Sequence, residues 1–120
     1  MMASTFHRAA GADQVAEGGS LGVVVAGWPV LLARVEGRLH ATIDRCTHAA
    51  SELSTGRIRR GAVMCPLHGA RFELASGRCL GGSYPSLMVF EVREDGAGGI
   101  EVAVPDEAPG PEHLPVRPRT

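Results

Sequence analysis

The stretch CTHAASELSTGRIRRGAVMCPLHG, residues 46–69, decides how this chain is read. It opens with Cys46-Thr47-His48 and closes with Cys65-Pro66-Leu67-His68-Gly69, and sixteen residues separate His48 from Cys65. Each end supplies one thiol and one imidazole, donors suited to a transition metal of borderline softness. Each follows a strand-like run, 39–43 before the first and 61–64 before the second. Both pairs therefore fall on loops at strand ends, where two loops can converge on one metal centre. Two readings compete at this point: a pair of buried thiols with two surface histidines, and a structural zinc site on the same four side chains.

Outward from this stretch, short apolar runs alternate with glycine. Residues 22–26, 30–35, 38–43, 61–64, 70–73, 87–92 and 99–104 read as strands. Glu36-Gly37 reads as a hairpin turn between the second and third of these, and 94–98 as a turn before the last. Residues 13–17 and 49–53 offer at most a helical turn each. The expected fold class is all-β. The expected organisation is one domain over 1–104, with the metal-binding part at about 44–86, followed by a tail over 105–120. That tail holds five prolines and little apolar material, so it is expected to be extended and solvated.

Composition narrows the class of function. The 120 residues fit one domain with a real core. Net charge is −1 and no basic stripe stands out along the sequence, which speaks against nucleic acid. The N-terminal residues lack the apolar core of a secretory signal, and no apolar run reaches membrane-spanning length. A cytoplasmic protein with no membrane partner is expected. Three cysteines, an odd number, argue against a disulfide framework.

The motif C-x-H followed by C-x-x-H-G resembles the Rieske signature. Leu53-Ser54-x-Gly56, Ala70-x-Phe72 and Gly77 extend the resemblance to the Rieske ferredoxins of bacterial aromatic-ring-hydroxylating dioxygenase systems. It runs from about Val23 to Val104. The resemblance implies antiparallel β-sheets with a small subdomain of two loops. These loops would hold one 2Fe–2S cluster, Cys46 and Cys65 on one iron and His48 and His68 on the other. Two ferric ions, two sulfides and two thiolates sum to a neutral centre, which accepts an electron more readily than a four-thiolate cluster. The implied function is a one-electron carrier rather than an enzyme. It would pass electrons from a flavin-containing, NAD(P)H-dependent reductase to a terminal ring-hydroxylating oxygenase, as a monomer docking transiently at the His48/His68 tip. The alternative is a small Rieske-fold subunit of a larger oxidoreductase such as an NAD(P)H-dependent nitrite reductase.

Finer features follow from the same resemblance. High-potential relatives carry a disulfide between the ligand loops, at positions matching Ser51 and Leu67, and hydroxyls at positions matching Ala70 and Phe72. Lacking these, the chain is expected at the low end of the Rieske range, about −150 mV. Residues 81–85 resemble a loop that covers the cluster. Pro66 is expected to stiffen the second ligand loop, and Gly56 and Gly69 to allow tight turns. Cys79 is expected to be a small buried hydrophobe and Trp28 a packing residue. His40, His7 and His113 are expected to face solvent.

Overall fold

The computed structural model describes residues 3–47, 50–66 and 69–115. Among these described residues ten strands form two antiparallel sheets. The larger contains β1 (Ser4–Gly11), β10 (Gly99–Pro105), β9 (Val89–Glu94), β4 (Arg38–Ile43), β3 (Trp28–Val35) and β2 (Ser20–Val25), in that spatial order. The smaller runs β5 (Arg57–Arg59), β6 (Ala62–Met64), β7 (Arg71–Glu73) and β8 (Cys79–Leu80).

Local chemistry explains the hairpins. Val25 pairs with Trp28, Val35 with Arg38 and Arg59 with Ala62. Each leaves a two-residue turn, and Ala26-Gly27, Glu36-Gly37 and Arg60-Gly61 all have positive φ at both positions. Two-residue turns of that kind match the right-handed twist of the strands they join. Glu17 braces one of them: its carboxylate accepts the N–H groups of Glu36 and Gly37 at 2.6 and 2.7 Å. Asp95 organises the β9–β10 turn by accepting from the Ala97 and Gly99 amides. Those hydrogen bonds, Ala97's first, hold its carboxyl below the ordinary carboxylate value.

The core sits on the larger sheet and continues under the smaller one. Val30, Leu31, Leu32 and Ala33 of β3 are fully buried, as expected of an interior strand covered on both faces. Trp28 packs edge-on against Phe90, with centroids 6.1 Å apart. Phe72, Val63 and Leu74 carry the same buried cluster into the small sheet.

Three strands depart from the sequence reading. β1 has no apolar alternation and buries only Ala10. It exists as an edge strand because main-chain bonds to β10 fix it, with a bulge between Arg8 and Ala10. β5 and β8 are three and two residues long, too short for a periodic signal. Helical turns form at Ala12–Gln14 and Leu53–Thr55, each offset from the expected segment.

The C-terminal segment also differs. Residues 106–115 fold back over the domain rather than extending into solvent. The Trp28 indole N–H donates to Glu107 O at 3.0 Å, and the His113 ring lies 5.0 Å from the Trp28 ring. The Arg45 side chain donates to Leu114 O at 3.2 Å. Composition cannot reveal this, because Trp28 is the anchor and lies far away in sequence. His113 is accordingly half-buried, as are His7 in β1 and His40 in β4.

Candidate metal centre

Two loops present the cysteines, and their backbones are wound alike. The Cys46 N–H donates to Ser51 O at 2.8 Å and Cys46 O accepts the Ala50 N–H at 2.9 Å. The Cys65 N–H donates to Ala70 O at 2.7 Å and Cys65 O accepts the Gly69 N–H at 3.1 Å. Each loop therefore closes with the same pair of bonds. The fourth residue after each cysteine is left-handed: Ala50 at φ 54° and Gly69 at φ 74°. For Gly69 that conformation is free, whereas Ala50 bears roughly 1–2 kcal/mol of steric cost. Among the described residues Ala50 is the one non-glycine residue of positive φ outside a hairpin turn, and backbone strain of this sort collects at functional sites.

Both thiols are buried, Cys46 at 0% and Cys65 at 1% exposure, within one apolar cluster. Neither is in a disulfide. His48 and His68 lie outside the described residues, as do Ala49 and Leu67.

A polar clamp joins the roots of the loops. Asp44, two residues before Cys46, is buried. Its carboxylate accepts the Ser54 N–H and the Ser54 hydroxyl, each at 2.7 Å. Gly56 follows, with its Cα face against the carbonyl of Met64, the residue before Cys65; a Cβ there would collide with that carbonyl. Its φ of −86° is ordinary. Gly56 is thus required for close approach of backbones, a correction to the turn role expected from sequence. The chain of contact Asp44–Ser54–Gly56–Met64 sets the distance between the ligand loops without involving the ligands. Sequence reasoning overlooked Asp44; its only signal was a lone acid at the end of an apolar strand.

A third segment closes the site. The Thr47 hydroxyl donates to Pro85 O at 2.7 Å, the Ile43 N–H to Met88 O at 2.9 Å, and the Leu87 N–H to Gly77 O at 2.8 Å. Residues 85–88 therefore bind both the first ligand loop and the end of the small sheet. Gly77 is left-handed, and a Cβ there would strike Leu87 O. Pro66 and residues 81–86 are exposed. Phe72 is fully buried and Ala70 partly so. Cys79 is half-buried against the core rather than fully buried.

Residues 5–91 match the Rieske [2Fe-2S] domain family. The chain belongs to that family. The Rieske domain here is 42% identical over 67 residues to the ferredoxin component of a naphthalene 1,2-dioxygenase system from Pseudomonas aeruginosa. That alignment covers 56% of this chain and 64% of the relative, under two thirds of its length. Among solved structures, a chain from the complex of reduced oxygenase and oxidized ferredoxin in carbazole 1,9a-dioxygenase superposes with a TM-score of 0.75 at 30% identity, covering 82% of this chain and 92% of that one. A chain described as an NADH-dependent nitrite reductase small subunit from Mycobacterium tuberculosis superposes at 0.76 with 28% identity, covering 84% and 96%. The family fixes the cofactor type as a Rieske 2Fe–2S cluster, and the all-β expectation agrees with the ten antiparallel strands. The donor chemistry fits: such a cluster takes two thiolates on one iron and two imidazoles on the other, and two buried, unbridged thiols stand ready on matched loops. Among the described residues no helix is long and apolar enough to cross a membrane.

Proposed function

We propose that this chain is a cytoplasmic one-electron carrier whose cluster is held by Cys46 and Cys65 on the inner iron and His48 and His68 on the outer. One observation carries the ligand set. Cys46 and Cys65 are buried in one cluster, on loops closed by the same pair of backbone hydrogen bonds, and His48 and His68 follow them in the sequence at the spacing of the Rieske motif. Each lies within three residues of its cysteine, on the loop that the cysteine anchors.

A Rieske cluster supplies reversible one-electron chemistry at a potential above that of four-thiolate clusters. The chain's own residues do the rest. Apolar packing around Cys46 and Cys65 keeps water from the thiolate side, and the Asp44–Ser54–Gly56–Met64 contacts hold the loops at a fixed separation through a redox cycle. Four protein donors leave no open coordination position for a substrate, so the chain acts as an electron-transfer component rather than an enzyme. The ferredoxin relative and the ferredoxin–oxygenase complex support the proposed partners: a flavin-containing, NAD(P)H-dependent reductase as donor and a terminal aromatic-ring-hydroxylating oxygenase as acceptor. The carrier works as a monomer.

EPR of the dithionite-reduced holoprotein tests this. A Rieske signal is expected, with average g below that of four-thiolate clusters and a potential of about −150 mV. His48→Ala and His68→Ala should each abolish it. A full signal in either variant overturns the ligand set. The likeness to the nitrite reductase small subunit favours a second reading, a fixed subunit of a larger enzyme; stable co-purification with a large flavin- or haem-bearing chain would replace the free carrier with it.

A further inference from the structure

Strand pairing brings Arg71 alongside a cluster of arginines, Arg57, Arg59 and Arg60, that lies within four residues of the sequence. Across the small sheet Arg57 stands opposite Met64, Met64 opposite Arg71, and Arg71 opposite Leu80. Residues in register share a face of a sheet, so these four form one cross-strand row. Arg59, Ala62 and Glu73 belong to the next row of the same face. Phe72 and Val63, in the alternating row, point into the core. Along this face lies a groove of about 680 Å³ lined by Arg57, Arg59, Arg60 and Arg71 together with apolar Met64 and Leu80.

These arginines are distinguished by being gathered on one groove; Arg8 and Arg38 of the large sheet also make no ion pair among the described residues. Residues 57–80 contain five arginines and one glutamate, a net +4, so the remainder of the −1 chain carries −5. Arg34 and Arg93 of the large sheet are ion-paired with Glu94 and Glu101. The four groove arginines make no ion pair or side-chain hydrogen bond among the described residues. The one local carboxylate, Glu73, accepts from the Ser76 hydroxyl. All twelve cationic residues of the chain are arginine, the cation enriched at protein interfaces. Met64 is 37% exposed, large for an apolar side chain beside such charge.

We infer that this outer face of the small sheet is a docking surface for an electron-transfer partner that presents carboxylates around an apolar projection. The inference rests on the carrier reading above. Met64 adjoins Cys65, and Arg71 follows Gly69 by two residues, so a partner seated here lies against the second ligand loop. The apolar residues between the arginines suit a protein surface better than a bare anion, and the groove holds no aromatic side chain on which a nucleic-acid base could stack. A second copy of this chain fits poorly as the occupant. Eight of its thirteen carboxylates are engaged within its own structure: Asp44 with Ser54, Glu17 and Asp95 in turns, Glu94 and Glu101 with arginines, Glu73 with Ser76, Asp106 with Thr5 and Glu112 with His113.

The test uses holoprotein and two double variants of equal net charge. Arg57→Glu with Arg71→Glu reverses the groove; Arg8→Glu with Arg38→Glu reverses two exposed arginines of the large sheet. Poly(L-glutamate) serves as the acidic probe by calorimetry at low ionic strength, and ferricyanide as the anionic oxidant of the reduced protein by stopped flow. The groove variant should bind poly(L-glutamate) at least about tenfold more weakly than the control and react with ferricyanide about tenfold more slowly, both differences shrinking with salt. Equal behaviour of the two variants overturns the inference. So does a low-salt dimer of the wild type that the groove variant loses, which assigns the face to a second copy, or binding to phosphatidylglycerol vesicles tighter than to poly(L-glutamate), which assigns it to a membrane. EPR of each sample separates this failure from failure of the carrier reading: absence of a Rieske signal in the wild type sinks the carrier, whereas an intact signal with indifferent variants sinks only the docking face.

Discussion

The two sheets are held together by different physics. The six-stranded sheet is a packed core: β3 buries six consecutive residues, Trp28–Ala33, and β10 buries Ile100, Val102, Ala103 and Val104. The four-stranded sheet has strands of two or three residues. It relies on a few buried anchors and on backbone contacts at Gly56 and Gly77 that exclude any side chain. The first region tolerates small change because many apolar contacts share the load. In the second, one methyl group at the wrong place separates the ligand loops. Scaffold and site can therefore be broken independently, which is the use of the comparison.

The sharpest break is Gly56→Ala. The added methyl meets Met64 O and lies 3.2 Å from Leu53 O, both backbone atoms that cannot swing aside. The expected outcome is loss of most bound iron and acid-labile sulfide while far-ultraviolet circular dichroism of the large sheet survives. Stoichiometric iron with an unaltered EPR spectrum would refute the clamp. Next in size are truncations of one buried anchor in each sheet. Phe72→Ala should cost about 3–5 kcal/mol and Leu31→Ala about 2–5 kcal/mol in urea unfolding. The comparison predicts that only Phe72→Ala also lowers cluster retention at equal folded fraction. Smaller still is Asp44→Ala, which strands two donors of Ser54. A loss of about 1–3 kcal/mol is expected, together with faster cluster release; a stability loss without faster release would mean that Asp44 braces the fold and not the loop spacing.

The same division decides what the sequence could disclose. The large sheet was legible where apolar runs are long, as at 30–35 and 99–104, because burial imposes composition. Its edge strand β1 was not, since main-chain pairing to β10 asks almost nothing of side chains. At the site, Gly56, Gly69 and the two cysteines stood out because each does something no other residue can do. Asp44 did not: a carboxylate looks the same in a sequence whether it is buried or solvated. The arginine face was half legible: Arg57, Arg59 and Arg60 stand within four residues, but their meeting with Arg71 was not. Arg57 and Arg71 are fourteen positions apart in the chain and meet only through the β5–β6–β7 register. The tail over 106–115 likewise shows its packing only once Trp28 is in place.

The gentlest probe of the difference is pH acting on His40 of the large sheet. His40 in β4 has its pKa pushed below the ordinary 6.5, first by burial and second by the Arg38 charge. A lowered pKa in the folded protein means that the unfolded chain binds the proton more readily below 6.5. The neutral imidazole therefore contributes stability that is complete above that value and is lost as pH falls through the folded-state pKa. His40→Gln removes this titration, so wild type and variant should run parallel in unfolding free energy above about pH 7 and converge or cross below about pH 6. The cluster's EPR signal should not follow the same curve, because His40 belongs to the scaffold and not to the loops. If the signal and the stability of His40→Gln shift together, the two sheets are coupled more tightly than their separate means of support imply.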